Sequence, residues 1–140
     1  MFALIGRSNM GRRELRERIF LMLFRVEFHE EDSLKEQLNA FLEENEPMDD
    51  VDEEYIQKKY LCIKEKLVQI DEIINENAKG WKTSRMGKVD LAIIRLGVYE
   101  IMFDEDVPNS VAINEAVELA KKYGTDESKA FVNGVLAKIV

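Results

Sequence analysis

The chain has 140 residues, which is the size of one domain and long enough to bury a hydrophobic core. Hydrophobic residues make up 46% and charged residues 34%, a balance typical of globular rather than disordered chains. No apolar run approaches the ~18 residues of a membrane-spanning helix, and a single cysteine excludes an intramolecular disulfide. We therefore expect a cytoplasmic protein that does not contact a membrane.

The charge is unevenly distributed along the chain. A net charge of −8 argues, by itself, against a nucleic-acid ligand. Residues 1–25, however, hold six arginines against two glutamates, a net charge of +4 that leaves −12 for the rest. Because charges are screened beyond a Debye length of ~8 Å at physiological salt, a basic segment can bind a polyanion despite distant acids. The segregation therefore indicates a localised polyanion site.

The first predicted helix runs from residue 12 to about residue 28. Its apolar positions recur at spacings of four, three and four residues, which is the period of one helical stripe. These positions are Leu15, Ile19, Met22 and Val26. Phe20 and Phe24 lie one turn apart at the edge of the stripe, and the pattern leaves open whether they are core or exposed.

Three arginines lie beside this stripe, near the helix N-terminus: Arg12, Arg13 and Arg16. The helix dipole disfavours cations at this end. We therefore expect these arginines to serve a function, such as ligand binding, rather than the stability of the helix. The planar guanidinium group suits phosphate oxygens and stacking on bases. The alternative is a solvated face with weak ion pairs to Glu14 or Glu17.

The remaining periodic segments also predict helices. Ser33 and Glu36 have capping-box spacing, and the helix that they open is expected to stop before Pro47. An acidic connection follows over residues 43–54. The further predicted helices cover residues 52–77, 88–103, 108–123 and 126–140, with Pro108 in a first turn and Gly124 just past a helix end.

These elements predict an all-α fold of about seven helices in two small packed bundles. The bundles are expected over about residues 10–78 and 81–140, with a break at residues 78–80 and Trp81 plugging the junction. Residues 1–9 are interpreted as a flexible leader or as residues added ahead of a start at Met10. Gly97 and Gly134 interrupt helical patterns at a cost of ~1 kcal/mol each, which predicts close helix approach at both.

Catalytic and metal-binding templates do not match the sequence. The only histidine, His29, is interpreted as a solvated turn residue, and Cys62 as a partly buried core residue. The acidic run that starts at Asp49 fails the calcium-loop pattern, with Glu54 at the glycine position and Tyr60 at the glutamate position. No phosphate-binding glycine motif is present. We therefore expect a binding protein that is not an enzyme and uses no metal or cofactor.

Three stretches carry a family resemblance. They are VDLAIIRLGVYE at residues 89–100, VP at 107–108 followed by VAINEAVELAK at 111–121, and FVNGVL at 131–136. In this order and spacing they resemble the NusB family. Together with Trp81 and the arginine-rich start, the resemblance covers almost the whole chain from Met10 onward. It implies the NusB-like fold.

The resemblance also implies a function and partners. Members of this family support transcription antitermination on ribosomal RNA operons. They act in the transcribing RNA polymerase complex, which they reach indirectly, and bind boxA RNA together with NusE, a small-subunit ribosomal protein. The RNA-binding positions implied here are Arg12, Arg13, Arg16, Glu127, Ser128 and Phe131, with Lys121 and Lys122 extending the second patch electrostatically. The positions implied to face NusE are Glu17, Phe20, Phe24 and Asp90.

Some positions depart from the family pattern. Phe24 stands where a tyrosine is typical, which removes a hydroxyl, and Glu127 stands where an aspartate is usual. Inside the motifs, Arg95, Asn114, Glu115 and Asn133 are interpreted as structural polar contacts rather than ligands.

Two alternatives stay open at this point. A NusB-like domain also precedes the catalytic domain of some ribosomal RNA methyltransferases, but the sequence carries no such domain and we expect the separate factor. A self-associating helical protein is the other alternative, since some family members form homodimers that could cover the arginine face.

Overall fold

The structure, a computed structural model, describes residues 11–26 and 49–140. These ranges hold six α-helices and one short 3₁₀ helix and no strand, so the all-α prediction is confirmed. The α-helices are α1 (Arg12–Val26), α2 (Asp50–Glu65), α3 (Leu67–Asn77), α4 (Lys88–Phe103), α5 (Asn109–Tyr123) and α6 (Ser128–Ile139), and the 3₁₀ helix is Thr83–Arg85. The predictions for residues 1–9, His29 and the helix after Ser33 lie outside the described residues. None of the helices in the described ranges combines the length and apolar character needed to cross a membrane.

The apolar stripe of α1 is buried as predicted. Leu15, Ile19 and Met22 are each no more than 1% exposed, and the side chain of Val26 lies outside the described part of the chain. Phe20, also 1% exposed, belongs to the same core. The buried face is therefore wider than the predicted stripe.

The single long helix predicted for residues 52–77 is wrong, because the structure has two helices, α2 and α3. At Lys66 the backbone N–H donates to the carbonyl of Ile63, three residues back, at 3.0 Å. The α-helical pattern resumes where the N–H of Ile70 donates to the Lys66 carbonyl at 2.9 Å. Ile63 and Ile70 are both fully buried on either side of this turn. The hydrophobic pattern continues through the break and so does not reveal it.

The chain divides into two compact units, one ending at Cys62 and the other formed by residues 63–140. The sequence pattern predicts a boundary at residues 78–81, whereas the backbone packing places it near the end of α2. In the second unit α4, α5 and α6 pack against one another, and α3 packs against α4 and α6. The central helix α4 is the most buried, with nine buried residues from Leu91 to Glu100.

A paired charge links α3 and α4 within this unit. The Arg95 Nε and Nη2 atoms donate to the two carboxylate oxygens of Asp71 at 2.9 and 2.8 Å. The side chains are only 14% and 28% exposed. Burial lowers the pKa of Arg95 and raises the pKa of Asp71 to about 6. The interpretation of Arg95 as a structural contact is confirmed.

The two helical glycines differ. A Cβ atom added at Gly97 would lie 2.8 Å from the Leu136 Cδ1 atom, so α4 and α6 approach closely there. At Gly134, nothing among the described residues lies within 4 Å of an added Cβ, and the residue is exposed. The prediction of close helix approach is confirmed for Gly97 and wrong for Gly134.

The buried face of α5 is formed mainly by small residues. The structure buries Ala112, Ala116, Leu119 and Ala120, whereas Ile113, Val117 and Tyr123 are half-buried. Small alanines face the neighbouring helices and the larger side chains flank them, which is how helix axes come close. Pro108 immediately precedes α5, and Gly124 follows its last residue.

Candidate nucleic-acid interface

The N-terminal helix presents its first two arginines to solvent. Arg12 and Arg13 are exposed at the first two positions of α1, while Arg16, one turn later, is only 8% exposed. Cations at a helix N-terminus oppose the helix dipole, so this placement does not serve helix stability. Arg12 and Arg13 are therefore the accessible cations of the predicted trio, and a contact from Arg16 to RNA stays a prediction.

The aromatic pair of α1 divides into a core residue and a surface residue. The Phe20 and Phe24 rings stack with centroids 6.3 Å apart and planes at 29°. Phe20 is 1% exposed and offers no surface to a partner, whereas Phe24 and Glu17 are half-buried. The buried Phe20 ring therefore packs against the inner side of the half-buried Phe24 ring. Asp90, the other position assigned to NusE, is half-buried in the first turn of α4 in the second unit.

The second predicted patch is built around the turn between α5 and α6. The backbone N–H of Thr125 donates to the Ser128 Oγ atom at 2.9 Å, and the two hydroxyl oxygens are 3.3 Å apart. Ser128 is only 2% exposed. A Cβ atom at Gly124 would lie 2.5 Å from Ser128 and 2.8 Å from the Ala120 carbonyl oxygen. Ser128 therefore shapes this turn, and the tight packing requires glycine at position 124.

A shallow pocket of about 250 Å³ lies against this turn. Its lining residues are Lys121, Gly124, Thr125, Asp126 and Lys129. The Lys121 Nζ atom pairs with the Glu118 carboxylate at 3.0 Å, so one acid already faces this cation. Lys129 is an exposed cation in the first turn of α6 that the sequence pattern does not single out.

The other assigned residues of this patch are close in sequence to the residues that line the pocket. The Lys122 Nζ atom is 5.4 Å from the centroid of the Tyr123 ring, and Glu127 is exposed immediately before α6. Phe131 is half-buried, and Trp81 packs its ring against it at 5.6 Å and 69°. Trp81 is 54% exposed, so the prediction that it plugs a junction is wrong.

The described residues contain no cluster of three or more His, Cys, Asp or Glu side chains arranged to hold a metal ion. What they present instead is an arginine-bearing helix start in one unit and a lysine-lined turn beside an aromatic pair in the other. Arginine with accessible aromatic rings is the side-chain chemistry that binds single-stranded RNA. The described residues thus form an all-helical protein whose exposed cations and aromatic rings favour the nucleic-acid-binding class.

Comparison with known proteins identifies the family. The sequence profile of the NusB family matches residues 13–140. A transcription antitermination protein NusB from Agathobacter rectalis is 57% identical over 129 residues, covering 92% of this chain and 98% of that relative. One from Lachnoclostridium phytofermentans is 53% identical over 131 residues, covering 94% and 99%. The chain belongs to the NusB family.

Solved structures agree with the fold. NusB from T. maritima superposes with a TM-score of 0.84 at 38% identity, over 93% of this chain and 90% of that one. A crystal structure of antitermination factors NusB and NusE in complex with double-stranded RNA gives a TM-score of 0.81 at 30% identity, over 91% and 94%. The expected NusB-like fold is thereby confirmed.

Proposed function

We propose that this protein is a non-enzymatic transcription antitermination factor that binds boxA RNA of ribosomal RNA operons together with NusE. It acts in the cytoplasm and reaches the transcribing RNA polymerase indirectly, through the RNA and NusE. The observation that carries the proposal is the similarity to a NusB chain solved with NusE and RNA. The chain also matches its antitermination relatives over 98% and 99% of their own lengths, which favours this function over a domain of a methyltransferase.

The RNA contact is assigned first to α1. Arg12 and Arg13 are exposed and carry guanidinium groups, which bind phosphate oxygens in a fixed bidentate geometry. Cations of this kind release condensed counterions when they neutralise phosphates, so affinity falls as salt rises. The contribution of α1 should therefore be visible as part of the salt dependence of binding.

The turn before α6 supplies the second RNA contact. Lys121, Lys122 and Lys129 are exposed, and Phe131 offers part of an aromatic ring. Glu127 and Ser128 belong to the same patch. The buried Ser128 hydroxyl holds the turn, so its role is to position the surface, while the exposed Glu127 can accept a hydrogen bond from a base.

The NusE contact is assigned to Glu17 and Phe24 of α1 and to Asp90 of α4. All three are partly exposed, and Phe24 offers an apolar surface backed by Phe20 at 6.3 Å. The buried Phe20 acts through Phe24. Self-association, the remaining alternative, stays a prediction that light scattering of the free protein checks: a dimer that dissociates on RNA addition would place the arginine face in its interface.

A salt series with matched charge variants tests the RNA contact of α1. The Arg12→Ala/Arg13→Ala double variant should lower the slope of log affinity against log salt by ~0.7 for each phosphate that the protein no longer neutralises. Arg13→Lys should keep much of the slope but lose affinity, since it keeps the charge without the guanidinium geometry. Arg16 is unsuitable here because its burial would mix binding with folding.

Lys58→Ala is the matched control, because Lys58 is an exposed cation of the same unit, 58% exposed and paired with Glu54. The Lys58→Ala substitution removes one positive charge, as each arginine substitution does, but the residue lies in α2 rather than in α1. If the control flattened the salt slope as much per charge as the arginine variant, the binding would reflect overall charge and the assignment to α1 would fail.

A further inference from the structure

The connection between α3 and α4 is a basic segment that lies outside the RNA and NusE contacts proposed above. Residues 79–88 contain four cations and no acid, in a chain whose net charge is −8. Lys79, Lys82 and Arg85 are exposed, and none of them has an ion-pair partner among the described residues. We call residues 79–87 the Trp81 loop. Its unbalanced positive charge favours an anionic ligand.

The Trp81 loop has a defined conformation. Gly80 adopts a left-handed φ of 82°, which reverses the chain after α3. The Trp81 N–H donates to the Ala78 carbonyl at 2.9 Å, and the Thr83 N–H donates to the Asn75 Oδ1 atom of α3 at 2.8 Å. The 3₁₀ turn that follows ends at Met86, which is 8% exposed. The loop is thus fixed at both ends and projects its cations outward.

Trp81 is presented for contact from this loop. It is 54% exposed although it is the largest apolar side chain of the protein. The Trp81 ring packs edge-to-face against the Phe131 ring, with the ring centroids 5.6 Å apart and the planes at 69°. Such a pair is stabilised by ~0.5–1.5 kcal/mol beyond its buried area, so the indole is oriented rather than loose. The exposed area is flanked in sequence by Lys79 and Lys82.

From this arrangement we propose that Trp81 is a base-stacking platform for single-stranded RNA, with Lys82 and Arg85 contacting the adjacent phosphates. Aromatic rings interleaved with cations are the common solution for unpaired strands, because every base has a face to stack and every nucleotide carries a charge. The inference rests on the proposed RNA-binding function and extends its second patch from Phe131 to the Trp81 loop.

Intrinsic fluorescence tests the proposal without any substitution, because Trp81 is the only tryptophan of the chain. A short RNA that carries boxA is titrated into the wild-type protein while indole emission is followed. In parallel, the anisotropy of end-labelled RNA gives the affinity independently. Stacking predicts saturable quenching of the indole with the same Kd as the anisotropy.

Substitutions then measure the contribution of the ring. Trp81→Ala should weaken RNA binding by about 5- to 150-fold, the range for one base stacked on an aromatic side chain, whereas Trp81→Phe should retain most of the affinity. Lys82→Gln and Arg85→Gln should each lower the salt slope by ~0.7. Met102→Ala is the apolar control, since Met102 is another large apolar side chain with 48% exposure, and Lys138→Gln is the charge control.

The outcomes separate this inference from the proposed function. If wild-type protein binds RNA by anisotropy, but indole emission does not change and Trp81→Ala binds as well as wild type, the stacking platform is refuted and the RNA-binding function stands. If emission changes with NusE and not with RNA, the loop is a protein-binding surface and the proposal is overturned. If RNA binds neither with nor without NusE, the proposed function fails and the inference fails with it.

Discussion

The two glycines within α4 and α6 give opposite predictions for the same substitution. Replacing a glycine by alanine inside a helix stabilises the folded chain by ~1 kcal/mol when the added methyl group meets no neighbour. Gly134 has no described atom within 4 Å of an added Cβ, so Gly134→Ala should retain this gain. The free energy of unfolding should rise by ~0.5–1 kcal/mol.

At Gly97 the added methyl group enters a filled space. Its Cβ would lie 2.8 and 3.1 Å from the two Cδ atoms of Leu136, well inside the ~3.5–4.0 Å of an ordinary carbon contact. Leu136 is 0% exposed, so it can yield only by displacing other core atoms. Overpacking of this kind costs ~1–3 kcal/mol, which offsets the helical gain and leaves Gly97→Ala destabilised by ~0–2 kcal/mol.

Urea denaturation followed by circular dichroism measures both variants. The two free energies of unfolding should differ by ~0.5–3 kcal/mol, which corresponds to roughly 0.25–1.5 M in the denaturation midpoint at a urea dependence of ~2 kcal/mol/M. RNA binding should be unchanged in Gly134→Ala, which serves as the control for the assay. If Gly97→Ala were as stable as Gly134→Ala, the close approach of α4 and α6 at this position would be refuted.

Three further predictions concern single side chains. Burial raises the pKa of Asp71 from 3.8 to about 6, so the stability contributed by the protonated carboxyl is fully present below pH 3.8 and is lost as pH rises through about 6. The stability of wild type relative to Asp71→Asn should therefore fall across this window, and a carboxyl titration midpoint below 3.8 by NMR would contradict it. Ser128→Ala removes the acceptor of the Thr125 N–H, which should cost ~1 kcal/mol and speed hydrogen exchange at that amide; unchanged exchange would argue against the turn geometry. Lys129→Gln should lower the RNA salt slope by ~0.7, and an unchanged slope would exclude the pocket before α6 from the RNA site.

The helical fold could be predicted because the apolar residues that are buried recur in the sequence at the period of an α-helix. Leu15, Ile19 and Met22 recur at helical intervals and are buried in the structure. The break at Lys66 could not be predicted this way, because periodicity reports which side chains are inward and not which carbonyl accepts each N–H. Near Lys66 one backbone N–H donates to the carbonyl three residues back and another to the carbonyl four residues back, yet Ile63 and Ile70 are buried on both sides of the break.

The candidate site was only partly accessible from the sequence. Charge segregation and the family motifs predict Arg12 and Arg13 as RNA contacts, and both are exposed. The sequence also predicts that Trp81 plugs the junction between the two bundles. Trp81 is instead held outward by a turn at Gly80, and its contact with Phe131 joins residues 50 positions apart. Such a long-range contact has no signature in local spacing.

A binding measurement with matched RNA tests the central claim most directly. A short boxA RNA and a scrambled RNA of the same length and composition are each titrated with the protein, with and without NusE, at one fixed physiological salt concentration. The account predicts tighter binding to boxA than to the scrambled RNA, and a further gain for boxA when NusE is present. Equal affinity for both RNAs under both conditions would contradict it, because charge alone would then explain the binding.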